Sequence, residues 1–129
     1  MTDIALLLAA TLLGGMVFFS FGFAPVLFAQ LPMEQVRPLL RGTFPYYYLA
    51  VIALAAATAA AAWMVSPLAG ALFAAIAAST LYARQILMAQ INAATDQGDH
   101  SAFKRLHGLS VVIQLIQIGL AGWAVVLLG

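Results

Sequence analysis

Four long apolar runs, parted only by short polar or proline-containing segments, constrain this chain more than any other feature. They extend from Ile4 to about Phe28, from Phe44 to Val65, from Leu68 to about Ile91, and from Leu106 to Leu128. At about 1.5 Å per residue, each is long enough to cross a hydrocarbon core of about 30 Å. A backbone in hydrocarbon finds no water to bond, so a spanning segment must be a helix or part of a closed barrel. Barrel strands alternate over about ten residues, whereas these runs are continuous and rich in Ala and Leu, so four transmembrane helices are predicted.

Composition agrees. Of 129 residues, 65% are hydrophobic and 7% are charged, far from the balance a water-facing domain needs to cover its surface. We expect one all-α integral membrane domain over residues 1–129, with helices at about 4–29, 44–65, 68–91 and 105–128 and polar loops at about 30–43 and 92–104. Ser66-Pro67 is the only break between the second and third runs, and a proline suits the first turn of the helix that follows. Two hairpins joined there make an up-down four-helix bundle.

The few charges orient the bundle. Arg37 and Arg41 lie between the first two runs, and Arg84, Lys104 and Arg105 lie at or near the connection of the last two; the other face has no Lys or Arg. By the positive-inside rule both polar loops should be cytoplasmic and both termini non-cytoplasmic, in a multi-pass protein of the cell membrane, a bacterial inner membrane by preference. The start Met-Thr-Asp lacks a basic region and the first run is too long for a signal peptide, so no cleavage is expected. Tyr46, Tyr47 and Tyr48 fall where an interfacial aromatic belt belongs, and Trp63 and Trp123 suit the opposite interface. A net charge of +1 is too small for a nucleic-acid footprint, so nucleic acid is not an expected partner.

Small residues recur in rows: Ala53, Ala57 and Ala61 with Ala56 and Ala60 beside them, and Gly70, Ala74 and Ala78. Such rows let helices approach closely in lipid, within one chain or between copies. The first run holds Gly14, Gly15, Ser20, Gly22 and Pro25. Pro25 withholds one backbone donor and should bend the helix near Phe21, which either opens a cavity or only adjusts packing.

The polar residues of the last run carry the most information. His107, Ser110, Gln114 and Gln117, at spacings of three, four and three, line one helical face. That face should point into the bundle, because an unpaired amide in hydrocarbon is costly. It either bonds between helices or lines a pocket, and His107 also suits an interfacial position. Arg84 is the one charge inside an apolar run. It either snorkels to the interface or joins Gln85, Asn92, His107 and Glu34 in a polar site at the cytoplasmic mouth, suited to an anionic head group. The candidate ligand-binding residues are thus Arg84, Asn92, His107, Ser110, Gln114 and Gln117, with Gly15, Gly22, Pro25 and Tyr47 as structural candidates.

No Asp or Glu lies inside a run, which argues against an ion-coupled carrier. Cysteine is absent, which removes thiolate metal sites and covalent haem. His100, His107, Asp96 and Asp99 could gather near one loop, but no ligand spacing is diagnostic, so neither a metal nor another cofactor is predicted.

Leu13-Gly14-Gly15-Met16-Val17-Phe18-Phe19, Ala24-Pro25-Val26-Leu27-Phe28, Leu31-Pro32 and Thr43-Phe44-Pro45-Tyr46-Tyr47-Tyr48 together resemble the family named after transmembrane protein 205. Ile91-Asn92, Asp96 and Phe103-Lys104-Arg105-Leu106-His107-Gly108-Leu109-Ser110 extend the likeness. The resemblance covers nearly the whole chain and implies a four-helix membrane domain of unknown function. It picks out Pro25, Tyr47, Asn92, His107 and Ser110, and implies an Asn where this chain has Gln114. A looser likeness in size and layout, to copper-resistance membrane proteins and haem-linked protoporphyrinogen oxidases, does not extend to their histidines.

The favoured functional reading is a non-enzymatic bundle, either an accessory subunit of a membrane complex or homo-oligomer, or a binder of a lipophilic ligand from the bilayer. The alternatives are a small oxidoreductase or haem- or metal-handling protein built on His107 and Arg84, and a facilitator of small solutes along the polar stripe. The expected orientation is checked by reporter fusions at Gly129: one that works only outside the cytoplasm should be active, and one that works only inside should be silent.

Overall fold

The structure, a computed structural model, describes residues 1–129 and contains four long helices and no strands. They are α1 (Thr2–Gln30), α2 (Met33–Trp63), α3 (Pro67–Asp96) and α4 (His100–Leu128), each long and apolar enough to cross a membrane. The chain is a multi-pass helical membrane protein. Sequential neighbours pack side by side, α4 closes the ring against α1, and the diagonal pairs hardly meet.

The turns are made by their local sequence. Ser66 caps α3 by accepting from the Ala69 N–H at 3.3 Å, with Pro67 in the first turn. Asp99 caps α4 by accepting from the Ala102 N–H at 3.1 Å. Between α3 and α4 the chain reverses at Gly98, whose φ of +69° suits a residue without a Cβ.

The polar segments are shorter as loops than expected. Residues 33–43 are the first turns of α2, and 92–96 and 100–104 are helical too. Polar composition marks where a helix leaves hydrocarbon, not where it ends. At 31 residues, α2 is roughly 46 Å long and overreaches a core of about 30 Å. Pro38 and Pro45 are held inside it without ending it.

One half of the bundle is zipped. Each helix buries a row at spacings of four, three and four: Ala5, Ala9, Leu12 and Met16 on α1; Val51, Ala55, Thr58 and Ala62 on α2; Ala69, Phe73, Ile76 and Thr80 on α3; Gln117, Ala121, Ala124 and Leu128 on α4. This is the heptad seam of a left-handed bundle, in which small residues let backbones come close. Of the two expectations for the alanine rows, it corrects the one of packing within the chain. Ala53, Ala56, Ala57, Ala60, Ala74 and Ala78 are exposed, and only Ala61 and Gly70 of those rows are buried. In a helix where nearly every face is Ala, small size recurs on several faces and does not choose between them.

The seam stops halfway along α1. Residues Phe18–Phe23 form a π-helical turn in which the Ala24 N–H bonds back to the Phe19 carbonyl. Pro25 has no N–H to return to the Phe21 carbonyl, and the wider turn absorbs that gap where the bend was expected. From Phe18 to Gln30 no residue is buried. A second π-helical turn, Ala83–Leu87, interrupts α3.

Gly70 carries the tightest approach: an added Cβ would lie 2.8 Å from Trp63 Cα across the α2–α3 turn. At Gly119 the same Cβ would meet nothing within 4 Å. Gly70→Ala should therefore cost about 1–3 kcal/mol, whereas Gly119→Ala should be neutral or stabilising. Denaturant titration of both variants in detergent micelles checks this.

Candidate functional site

Where α1 leaves the seam, a cleft opens between α1 and α4, with α2 as its floor. It has a volume of about 290 Å³, at the small end of the roughly 300–1,000 Å³ of ligand pockets. Six aromatic rings line it: Phe19, Phe21, Phe28, Phe44, Tyr47 and Tyr48. Phe19 stacks on Tyr47 with ring centres 3.9 Å apart and planes 11° from parallel, and Phe44 meets Phe19 edge-on at 5.4 Å. Of the three consecutive tyrosines, Tyr46 alone stays on the outer surface; Tyr47 and Tyr48 are half-buried and turn inward. No Lys, Arg, Asp or Glu lines this cavity.

Its polar part is one connected group. The Gln114 amide nitrogen donates to Ser20 Oγ at 3.0 Å and to the Tyr47 hydroxyl, joining α4 to α1 and α2. The Ser20 hydroxyl pairs with the same Tyr47 oxygen; with Ser20 and Gln114 both donating to it, the Tyr47 hydroxyl hydrogen and the Gln114 carbonyl oxygen are left over. No buried polar side-chain atom is unpaired, so the unpartnered Gln114 carbonyl oxygen is exposed, on a residue that lines the cavity together with Tyr47. Gln114 lies three residues from the middle of the run Leu106–Leu128, and Ser20 four from the middle of Ile4–Phe28. At about 1.5 Å per residue, both are within about 6 Å of the centre of their apolar runs.

Toward the polar end the cleft continues into a recess of about 70 Å³ lined by Arg41, Asn92, His107 and Ser110, and sharing Phe44 and Tyr48 with the larger cavity. The Ser110 hydroxyl donates to the His107 carbonyl at 2.7 Å, and the exposed His107 ring lies parallel to Phe103. Arg41 and Asp96 form a two-point ion pair at 2.7 and 3.0 Å, clipping the start of α2 to the end of α3. That pairing offsets the charge of Arg41 in the recess. With Asp96 held by Arg41 and Asp99 spent on its cap, no three His, Asp or Glu side chains come together anywhere.

The expected residues divide into three groups. His107, Ser110 and Gln114 line the cleft, with Asn92 at its mouth. Gln117, one turn further along the same face, sits in the sealed core, where it donates to Ser79 Oγ at 2.7 Å and Thr80 Oγ1 at 3.0 Å. Both hydroxyls pass their hydrogens to the Ile76 carbonyl, at 3.1 and 2.7 Å, so every side-chain hydrogen of this set is used within the bundle. Arg84 points inward but away from the cleft: its Nε donates to the Pro45 carbonyl at 3.1 Å and its Nη1 to Gln85 at 3.3 Å. The anion site expected to join Arg84 and Gln85 with Asn92, His107 and Glu34 is not assembled, because Arg84 turns to the Pro45 carbonyl and none of Arg84, Gln85 and Glu34 lines the cleft with Asn92 and His107. Pro25 follows the π-helical turn; Gly22 sits over the Phe18 ring, 3.2 Å from an added Cβ, and Gly15 faces open space.

Sequence reasoning passed over Ser20, Arg41, Asp96, Tyr48 and Phe44 as site residues. Ser20 was visible as one of only two hydroxyl side chains in the first run, and Arg41 and Asp96 as opposite charges on the two polar segments. Which partner each would find depends on the packing.

Fold and site together define a small multi-pass membrane protein with a neutral, aromatic-lined cleft open to its surroundings. Residues 7–100 match the model of an uncharacterised family, described as a domain of unknown function (DUF4149), and the chain belongs to that family. No curated protein and no solved structure matches the chain.

The contrast between the two glutamines is measurable. Gln117→Leu removes two interhelical bonds but leaves Ser79 and Thr80 satisfied by Ile76, so it should cost about 0.6–1.7 kcal/mol. Unfolding in a denaturing detergent series reads that loss, and a loss above about 3 kcal/mol would contradict the satisfaction of Ser79 and Thr80 by Ile76.

Proposed function

We propose that this protein binds a lipophilic ligand taken up from the bilayer through the gap between α1 and α4. The observation that carries this reading is a hydrogen-bonding group, Ser20, Gln114 and Tyr47, with spare capacity at the inner end of an aromatic cleft deep within the apolar length of the bundle. An unfilled donor and acceptor in hydrocarbon are costly, which favours an occupant that meets them. The likeness to the transmembrane protein 205 family fits the same reading, since Tyr47, His107 and Ser110, which it picks out, all line the cleft. The packed half of the bundle beyond Gln114 disfavours a solute pathway, because Gln117, Ala121, Ala124 and Leu128 are buried there. The charges support an orientation with the mouth of the cleft cytoplasmic, both termini outside and the protein in a bacterial inner membrane.

A second reading, an accessory subunit or homo-oligomer, is supported by the exposed alanines Ala53, Ala57, Ala74 and Ala78 on neighbouring helices, a surface on which another helix could seat closely. The leading reading is tested by native mass spectrometry of protein extracted in mild detergent. Wild type should carry a bound lipophile, and Ala24→Trp, which fills the cleft, should lose it. A wild type that carries none and takes none up from added lipid extract would defeat the proposal.

A further inference from the structure

Resting on the lipophile-binding reading, we infer that the cleft is a site for a lipid-soluble quinone or quinol: a neutral ring with oxygens on opposite carbons and an apolar tail. Four features of the cleft select that class. The depth comes first. Gln114 and Ser20 lie within about 6 Å of the centre of their apolar runs and Tyr47 about 11 Å from the centre of its own, all inside a hydrocarbon half-thickness of about 15 Å, where a phospholipid does not hold its charged head and where its acyl tails have nothing to hydrogen-bond.

Charge comes second. No Lys, Arg, Asp or Glu faces the larger cavity and Arg41 at its mouth is held by Asp96, so the only basic side chain an anionic ligand would meet unpaired is the exposed His107 at the mouth, away from Gln114. Shape comes third. Phe19, Phe44, Tyr47 and Tyr48 form a wall of flat rings on which a planar ring stacks, and the volume of about 290 Å³ takes a ring and the start of a tail. The rest of the tail leaves through the α1–α4 gap into lipid. Hydrogen bonding comes last. The Tyr47 hydroxyl is a spare donor for a quinone carbonyl, and the Gln114 carbonyl oxygen is a spare acceptor for a quinol hydroxyl. The same pair therefore serves both oxidation states without moving.

Equilibrium binding of a decyl-substituted benzoquinone to the full chain in mild detergent, beside decylbenzene as the oxygen-free control, tests this. The quinone should bind about tenfold more tightly than decylbenzene, the worth of one or two hydrogen bonds. Tyr47→Phe, which keeps the ring and its stacking, should remove most of that advantage while leaving decylbenzene binding unchanged. Gln114→Leu should do the same for the corresponding quinol. Equal binding of quinone and decylbenzene would overturn the quinone assignment while leaving a lipophile site in place, as would tight binding of a phospholipid or fatty acid with none of the quinone. Failure of every lipophile to bind would remove both readings together.

Discussion

In hydrocarbon a helix gains little by turning Leu or Phe away from lipid, so what holds helices together is close approach and the few hydrogen bonds between them. In this protein both are concentrated in one half of the bundle. The four buried rows begin beside the chain ends and run to Met16, Val51, Thr80 and Gln117, and the Gln117–Ser79–Thr80 group locks α4 to α3 within them. Everything toward the polar end depends on that seam, because α1 contributes buried residues only there. Beyond it, α1 meets its neighbours through Ser20 and Phe19 at the cleft, and its remaining residues are exposed or half-buried.

The cleft is thus a consequence of where the packing ends. The π-helical turn at Phe18–Phe23 and Pro25 separate α1 from its neighbours, while α2, α3 and α4 stay together through Val36, Ala83, Leu87 and Ala94. Arg84 reaching the Pro45 carbonyl and Arg41 clasping Asp96 both tie α2 to α3, on the side away from α1. The only polar tie across the opening is Gln114, which reaches Ser20 on α1 and Tyr47 on α2. A single amide therefore both spans the cleft and gives it its chemistry, and its remaining oxygen is free to meet something else.

Much of the site was legible in the order of residues, and the reason it was only part is physical. The three-four-three spacing of His107, Ser110, Gln114 and Gln117 placed them on one inward face, as they are. The spacing could not tell that the face crosses from an open cleft at Gln114 to a sealed core at Gln117, because that depends on how far α1 stays packed. Ser20 and Tyr47 are 94 and 67 residues from Gln114 in sequence, and no local pattern joins them. The alanine rows misled for a related reason. In a lipid-facing helix apolar residues lie on every side, so hydropathy does not mark the buried face and small size alone is ambiguous.

The sequence by itself determined the solvent, the number of helices and the end of the bundle at which the charges gather, because four apolar runs too long and too poor in charge for water leave hydrocarbon as their only stable surroundings. It also determined that the polar face of α4 turns inward, since an unpaired amide cannot face lipid. Only the tertiary structure decided which face of each helix is buried, where the seam stops, and that Tyr47 and Ser20 meet Gln114 while Arg84 does not reach the cleft. Those outcomes follow from the relative rotation and splay of whole helices, which are set by contacts between residues far apart in the chain.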